Sequence, residues 1–133
     1  MKKQICFNLN GTNLYLDSVF VYFNEIPIFF TCIDTNENHY LVLCTNVDDL
    51  KYYIVTTSIK TIYDMLNKKI SMREAILNSQ QYWDISTGMD IENDIVVCKD
   101  ISSIDKNVLP LSNAVYESDG TITQDYQPLG IKA

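Results

Sequence analysis

Basic residues are scarce in this chain of 133 residues: ten Lys and Arg stand against seventeen Asp and Glu, giving a formal charge of −7. Attraction to nucleic acid or to an anionic membrane surface is driven by clustered Lys and Arg, so neither partner is expected. An acidic surface suits solubility, a basic partner or mimicry of a polyanion. Glycine is equally sparse. Gly11, Gly88, Gly120 and Gly130 are nowhere clustered, which removes the Gly-rich phosphate loops of P-loop, kinase and Rossmann folds. The four cysteines, Cys6, Cys32, Cys44 and Cys98, form no C-x-x-C pair, and the lone His39 cannot complete a usual zinc set with them. All four are expected as reduced core or near-core residues, because free cysteine behaves as a small hydrophobe. No run of 18 apolar residues exists, so no transmembrane helix is expected. Gln4, Asn8, Asn10 and Asn13 interrupt any signal-peptide core, and a cytoplasmic location is expected.

What is present is an ordinary globular composition, 47% hydrophobic and 20% charged. A chain of this size can bury roughly 68% of its unfolded surface without staples. One domain over 1–133 is expected, with a core at about 4–100 and an extended C-terminal arm at 101–133.

The hydrophobic pattern is mainly that of strands. Residues 4–9 alternate, and Asn10-Gly11 is the strongest two-residue hairpin signal. Pairing across it sets Leu9 against Thr12, Phe7 against Leu14 and Ile5 against Leu16. A third strand is expected over Ser18–Phe23. The apolar runs Ser18–Asp34 and His39–Asn46 then flank the polar tetrad 35–38. With those four residues as the loop, Asp34 faces His39, Cys32 faces Leu41 and Phe30 faces Leu43. The other face carries Ile33 with Tyr40, Thr31 with Val42 and Phe29 with Cys44. An exposed antiparallel face shows polar residues at alternate positions; here both faces are apolar and need cover.

A strand at Lys51–Thr57 follows. Ser58 is placed to cap a helix carrying Ile59, Ile62 and Leu66 and ending near Asn67-Lys68-Lys69. Ser71-Met72-Arg73-Glu74 is a capping box opening a second helix to about Asn78, with Ile70 placed to staple against Ala75. Gln81–Ile85 and Asp94–Asp100 are two further strands around a turn at 86–88. Beyond Ile101 the text is loop-like, and the apolar patch Val108–Leu111 is placed to dock onto the sheet.

From about Tyr22 to Ile76 the sequence resembles an uncharacterised family of small bacterial and phage domains. The shared pattern is a proline-containing extended segment, an apolar strand, an Asp-x-x-Gly/Asn turn, a Tyr-Leu strand and a Leu-Arg-x-Ala helix start. It is carried here by Pro27, Phe30, Asp34, Asn38, Tyr40, Leu41, Arg73 and Ala75. The chain departs from it at Met72 and at Glu25-Ile26. The resemblance implies an α+β fold and a prokaryotic or phage origin, and carries no assigned activity.

Two constellations are candidates for function. Asp90, Glu92 and Asp94 place oxygen donors at alternate positions, as calcium loops do. Ile91 and the missing loop glycine and terminal glutamate favour a solvated acidic patch that faces a partner. Tyr52-Tyr53 and Tyr82-Trp83 are adjacent aromatic pairs in strands, so each pair sends one ring to either face. One ring of each pair is expected in the core; the other packs there too, anchors a protein interface, or stacks a base or nucleotide. A Cys32–His39 dyad is not expected, because Cys32 lies in an apolar register and His39 belongs on the surface.

The expectation is thus a single α+β domain: an antiparallel sheet of five to seven strands, two short helices and an irregular C-terminal arm. The expected function is a non-enzymatic binding protein of bacterial or phage origin, an inhibitor or anti-defence factor with a protein partner, and no cofactor. The alternatives are a metal-dependent hydrolase or nucleotide-binding protein using Asp90, Glu92 and Asp94, and a structural homodimer joined through the second apolar face.

Overall fold

The computed structural model describes residues 5–89 and 93–110. Seven strands follow one another as a single antiparallel meander: β1 (Ile5–Leu9), β2 (Thr12–Phe23), β3 (Ile26–Ile33), β4 (His39–Asn46), β5 (Lys51–Thr57), β6 (Gln81–Ser86) and β7 (Ile95–Asp100). Between β5 and β6 lie two helices, α1 (Ile59–Leu66) and α2 (Met72–Leu77). The α+β expectation is corrected by this arrangement. Seven strands fall within the expected number, but helices of eight and six residues make no layer of their own. The fold is a half-barrel, mostly β, with two helical caps.

Asn10 and Gly11 both adopt positive φ and close the first hairpin, with Leu9 opposite Thr12 and Phe7 opposite Leu14 as expected. Beyond Phe7 the register slips at Cys6, and Ile5 faces Tyr15 rather than Leu16. The second hairpin turns at Asn24 and Glu25, again both at positive φ (48° and 68°). That is the type I′ geometry whose twist matches the flanking strands.

Ser18–Phe23 is not a separate strand. It is the second half of β2, a twelve-residue strand that bends at bulges. Leu16 faces Cys32 while Ser18 faces Thr31, so Asp17 is an extra residue; Val19 faces Phe30 while Val21 faces Phe29, so Phe20 is another. Each bulge flips the alternation of side chains. Leu14 and Leu16 therefore share one face with Val19, whereas Phe20 and Val21 both join the opposite one. Bulges also bend the strand and increase its twist.

The central hairpin departs from the expected register by one residue. Ile33, not Asp34, faces His39; Cys32 then faces Tyr40, Thr31 faces Leu41, Phe30 faces Val42 and Phe29 faces Leu43. The loop is 34–38 rather than 35–38.

Both faces of the sheet are covered, by different means. One carries Phe29, Leu41, Leu43, Tyr53, Val55 and Tyr82 and receives Met65 of α1 and Met72, Ala75 and Ile76 of α2. Ile104 and Leu109 of the arm are buried there too, and the arm is tied down where Arg73 Nη1 donates to the Pro110 carbonyl at 3.2 Å. Val108 and Leu109 thus dock as expected, while Leu111 lies outside the described residues. The other face holds Phe30, Cys32, Tyr40, Val42, Ile54 and Ile85, and it is covered by Phe7, Leu9 and Leu14. The Phe7 ring lies 5.1 Å from that of Tyr52 on β5. Four inter-strand steps in a flat sheet would separate β1 from β5 by roughly 19 Å. The sheet has curled until its first hairpin closes over its own middle.

Two measurements check this account. Phe7→Ala should lower unfolding free energy by about 3–5 kcal/mol in urea melts, the cost of emptying a buried aromatic site. Glu25→Gly should raise it by about 0.5–1 kcal/mol, because relief of a left-handed L-residue outweighs the added backbone entropy.

Candidate functional site

Asp34 organises the central loop. Although only 5% exposed, its carboxylate accepts from the Asn36 and Asn38 backbone N–H groups on Oδ1 at 2.9 and 3.0 Å. Oδ2 accepts from Asn38 Nδ2 at 3.0 Å and from the Tyr40 hydroxyl at 2.9 Å. Burial alone would raise its pKa, but the donors from Asn38, Tyr40 and Asn36 together outweigh burial and hold it below the usual value. The same contact acts in reverse on Tyr40, whose hydroxyl is pushed up to about 12 by burial and by the Asp34 charge.

Tyr40 in turn props Trp83. Their rings meet edge to face, with centroids 6.1 Å apart, a favourable aromatic geometry. Trp83 faces Ile54, the last residue at which β5 and β6 are paired. Past that point the two strands diverge, and the gap is a cleft of about 520 Å³ with Trp83 at its inner end. One wall is formed by Thr56, Thr57, Ser58 and Thr61, the other by Asn78, Ser79, Gln80 and Gln81. Every lining side chain other than the indole is an uncharged hydroxyl or amide.

Several of these groups are already bonded to one another. Thr56 Oγ1 lies 3.2 Å from Ser79 Oγ, and Ser79 Oγ donates to the Gln81 carbonyl at 2.9 Å. Asn78 Nδ2 donates to Thr61 Oγ1 at 3.4 Å; the Thr61 backbone N–H is in turn capped by Ser58 Oγ at 3.1 Å. Thr57 Oγ1 is buried without a hydrogen-bond partner, as is Nδ1 of His39, which stands directly opposite it on β4. His39 is therefore a half-buried strand residue and not the surface residue expected. It opens toward a second, smaller cavity of about 270 Å³ beneath α1. Cys32 pairs with Tyr40 on the opposite face, so the two groups of the rejected dyad point apart.

The aromatic pairs divide between the faces as the alternation requires. Tyr53 and Tyr82 are both buried on the helix side, their rings 4.9 Å apart. Tyr52 packs between Phe7 and Phe30 on the other side, and burial there pushes its hydroxyl up to about 12. Trp83 is the member of these pairs that borders a cleft. Asp94 accepts from the Gly88 N–H at 2.9 Å and fastens the connection between β6 and β7. A Cβ on Gly88 would come within 2.5 Å of Asn93, so the turn also requires glycine. Asp90 and Glu92 lie outside the described residues. Among the described residues no three His, Cys, Asp or Glu side chains converge, and no helix is long and apolar enough to cross a membrane. Cys32 and Cys44 are buried and Cys6 is half-buried, but Cys98 is exposed on β7, contrary to expectation.

The far edge of the sheet is the other conspicuous surface. Among the described residues β7 pairs with β6 alone, which leaves its outer backbone edge open. Ile95 and Val97 are 64% and 42% exposed. Beside them Lys99 Nζ reaches Asp84 at 3.2 Å, and residues 84–105 carry six carboxylates against that one lysine.

The cleft escaped sequence reasoning because no charged or metal-binding residue marks it. The available signal was the uncharged polar runs 56–58 and 78–81 flanking the helices. No family model, curated protein or solved structure matches the chain. Function must therefore be read from geometry.

Asp34→Asn is expected to lower stability by about 2–3 kcal/mol at pH 7, because charge-assisted bonds to the carboxylate are lost. The native pKa is depressed, so the contribution of Asp34 is complete above the ordinary value of 3.8 and is lost as pH falls through the lower native value. Urea melts of wild type and variant should converge below that range.

Proposed function

We propose that this protein is a non-enzymatic binding module of the inhibitor type. It receives an extended, basic segment of a partner protein along β7. The observation that carries this is the β7 edge, unpaired among the described residues, with Ile95 and Val97 exposed beside it. Natural edge strands are ordinarily shortened, charged or covered to prevent strand addition, and an edge left apolar is suited to it. Main-chain hydrogen bonds would supply affinity, and alternate side chains would supply specificity. The acidic balance of residues 84–105 selects a basic segment and speeds its encounter.

The second apolar face does not support the homodimer alternative, because β1 and β2 already cover it. The test is affinity capture from host lysate with wild type and with the double variant Ile95→Lys/Val97→Lys. Both positions are exposed, so each substitution should change stability by no more than about 0.5 kcal/mol. A basic partner retained by wild type should be lost by the variant. A partner held equally by both removes β7 as the surface, and light scattering that shows a dimer lost in the variant would make the partner a second copy.

A further inference from the structure

We infer that the cleft between β5 and β6 is a binding site for a neutral saccharide, independent of the β7 edge. Its chemistry is the first reason. In a chain of net charge −7, none of the residues lining this cleft is charged. A phosphate or carboxylate ligand would meet no cation there, whereas a ring of hydroxyls would meet groups that both donate and accept. Trp83 supplies the complementary apolar surface: the axial C–H face of a sugar ring packs against an indole while its hydroxyls reach outward. The indole is fixed before any ligand arrives, because Tyr40 holds it edge to face at 6.1 Å and Asp34 holds Tyr40.

The second reason is order among the polar groups. The Thr56–Ser79 contact and the bond from Ser79 to the Gln81 carbonyl fix hydroxyl positions on both walls. Pre-set donors and acceptors lose little freedom when a ligand binds. The third reason is placement. Thr56 stands opposite Tyr40 on β4, on the same sheet face as Trp83, whereas Thr57 turns toward His39 on the other face. The volume, about 520 Å³, lies within the range of small-molecule pockets and suits one or two sugar rings. A nucleoside would also stack on an indole, but among the described residues no second aromatic ring lines the cleft to sandwich a base.

Trp83 is the only tryptophan in the chain, so its emission reports on this cleft alone. The intact protein is titrated with maltose, cellobiose, lactose and N,N′-diacetylchitobiose to about 10 mM, enough to saturate a millimolar site. Uridine and adenosine are run in parallel. At least one disaccharide should shift the emission saturably. Thr56→Val, which keeps the side-chain shape, should weaken that sugar about fivefold without lowering the thermal midpoint, and Ser79→Ala should weaken it comparably. The inference is overturned if no disaccharide shifts the emission, if only a nucleoside does, or if both variants bind the sugar as tightly as wild type.

Discussion

A buried carboxylate with four donors decides the geometry of the middle of this sheet. Asp34 takes two backbone N–H groups of its own loop, the Asn38 amide and the Tyr40 hydroxyl. Stranded in an apolar environment, such a charge would cost several kcal/mol; fully bonded, it fixes the loop to residues 34–38. The register follows, since a one-residue slip would carry every side chain of β4 to the wrong face. With Ile33 opposite His39, Tyr40 lies on the face where β1 closes over the sheet, and its hydroxyl can reach back to Asp34. The same register points the Tyr40 ring at Trp83. One loop carboxylate thus sets both the division of the core and the position of the only indole.

The doubly apolar hairpin posed a problem of cover that two short helices could not solve. The solution lies in β2. Its extra residues at Asp17 and Phe20 let one strand serve both cores, with Leu14, Leu16 and Val19 inside the curl and Phe20 and Val21 beneath the helices. A straight twelve-residue strand would have kept all its even positions on one side. The bulges therefore allow the sheet to bend toward a barrel without a second sheet or a second chain.

Much of the chain was legible because local signals and tertiary structure agree. The Asn10-Gly11 turn, the Ser58 cap, the Ser71–Glu74 capping box and the strand at Lys51–Thr57 all lie where the sequence placed them. The failures have physical causes. The polar tetrad 35–38 marked the loop, but nothing local showed that the carboxylate of Asp34 would be drawn into it. Ser18 looked like the start of a strand because a bulge at Asp17 breaks the alternation as a turn would. The α+β expectation counted the helices and could not foresee a sheet that closes on itself. The aromatic pairs were correctly assigned to opposite faces, but alternation alone could not say that curling would cover the second one. The cleft left almost no trace in the text, since threonine, serine and asparagine beside a helix read simply as caps and turns.

The position of that cleft follows from topology. Five of the six connections in the meander are short enough to keep neighbouring strands paired to their ends. The exception is 58–80, where both helices are inserted. To place Met65, Met72 and Ile76 on the helix-side core, the chain must leave the plane of the sheet after β5 and return to it at β6. The pairing accordingly stops at Ile54 opposite Trp83, although β5 runs on to Thr57. Backbone and side chains that would have filled the next rungs of the ladder line an opening instead. Covering one face of the sheet with helices thus opened the other connection at its end, beside an indole already held by Tyr40. A saccharide site at that place is a consequence of how the core is covered, and it stands apart from the edge of β7, the last strand among the described residues.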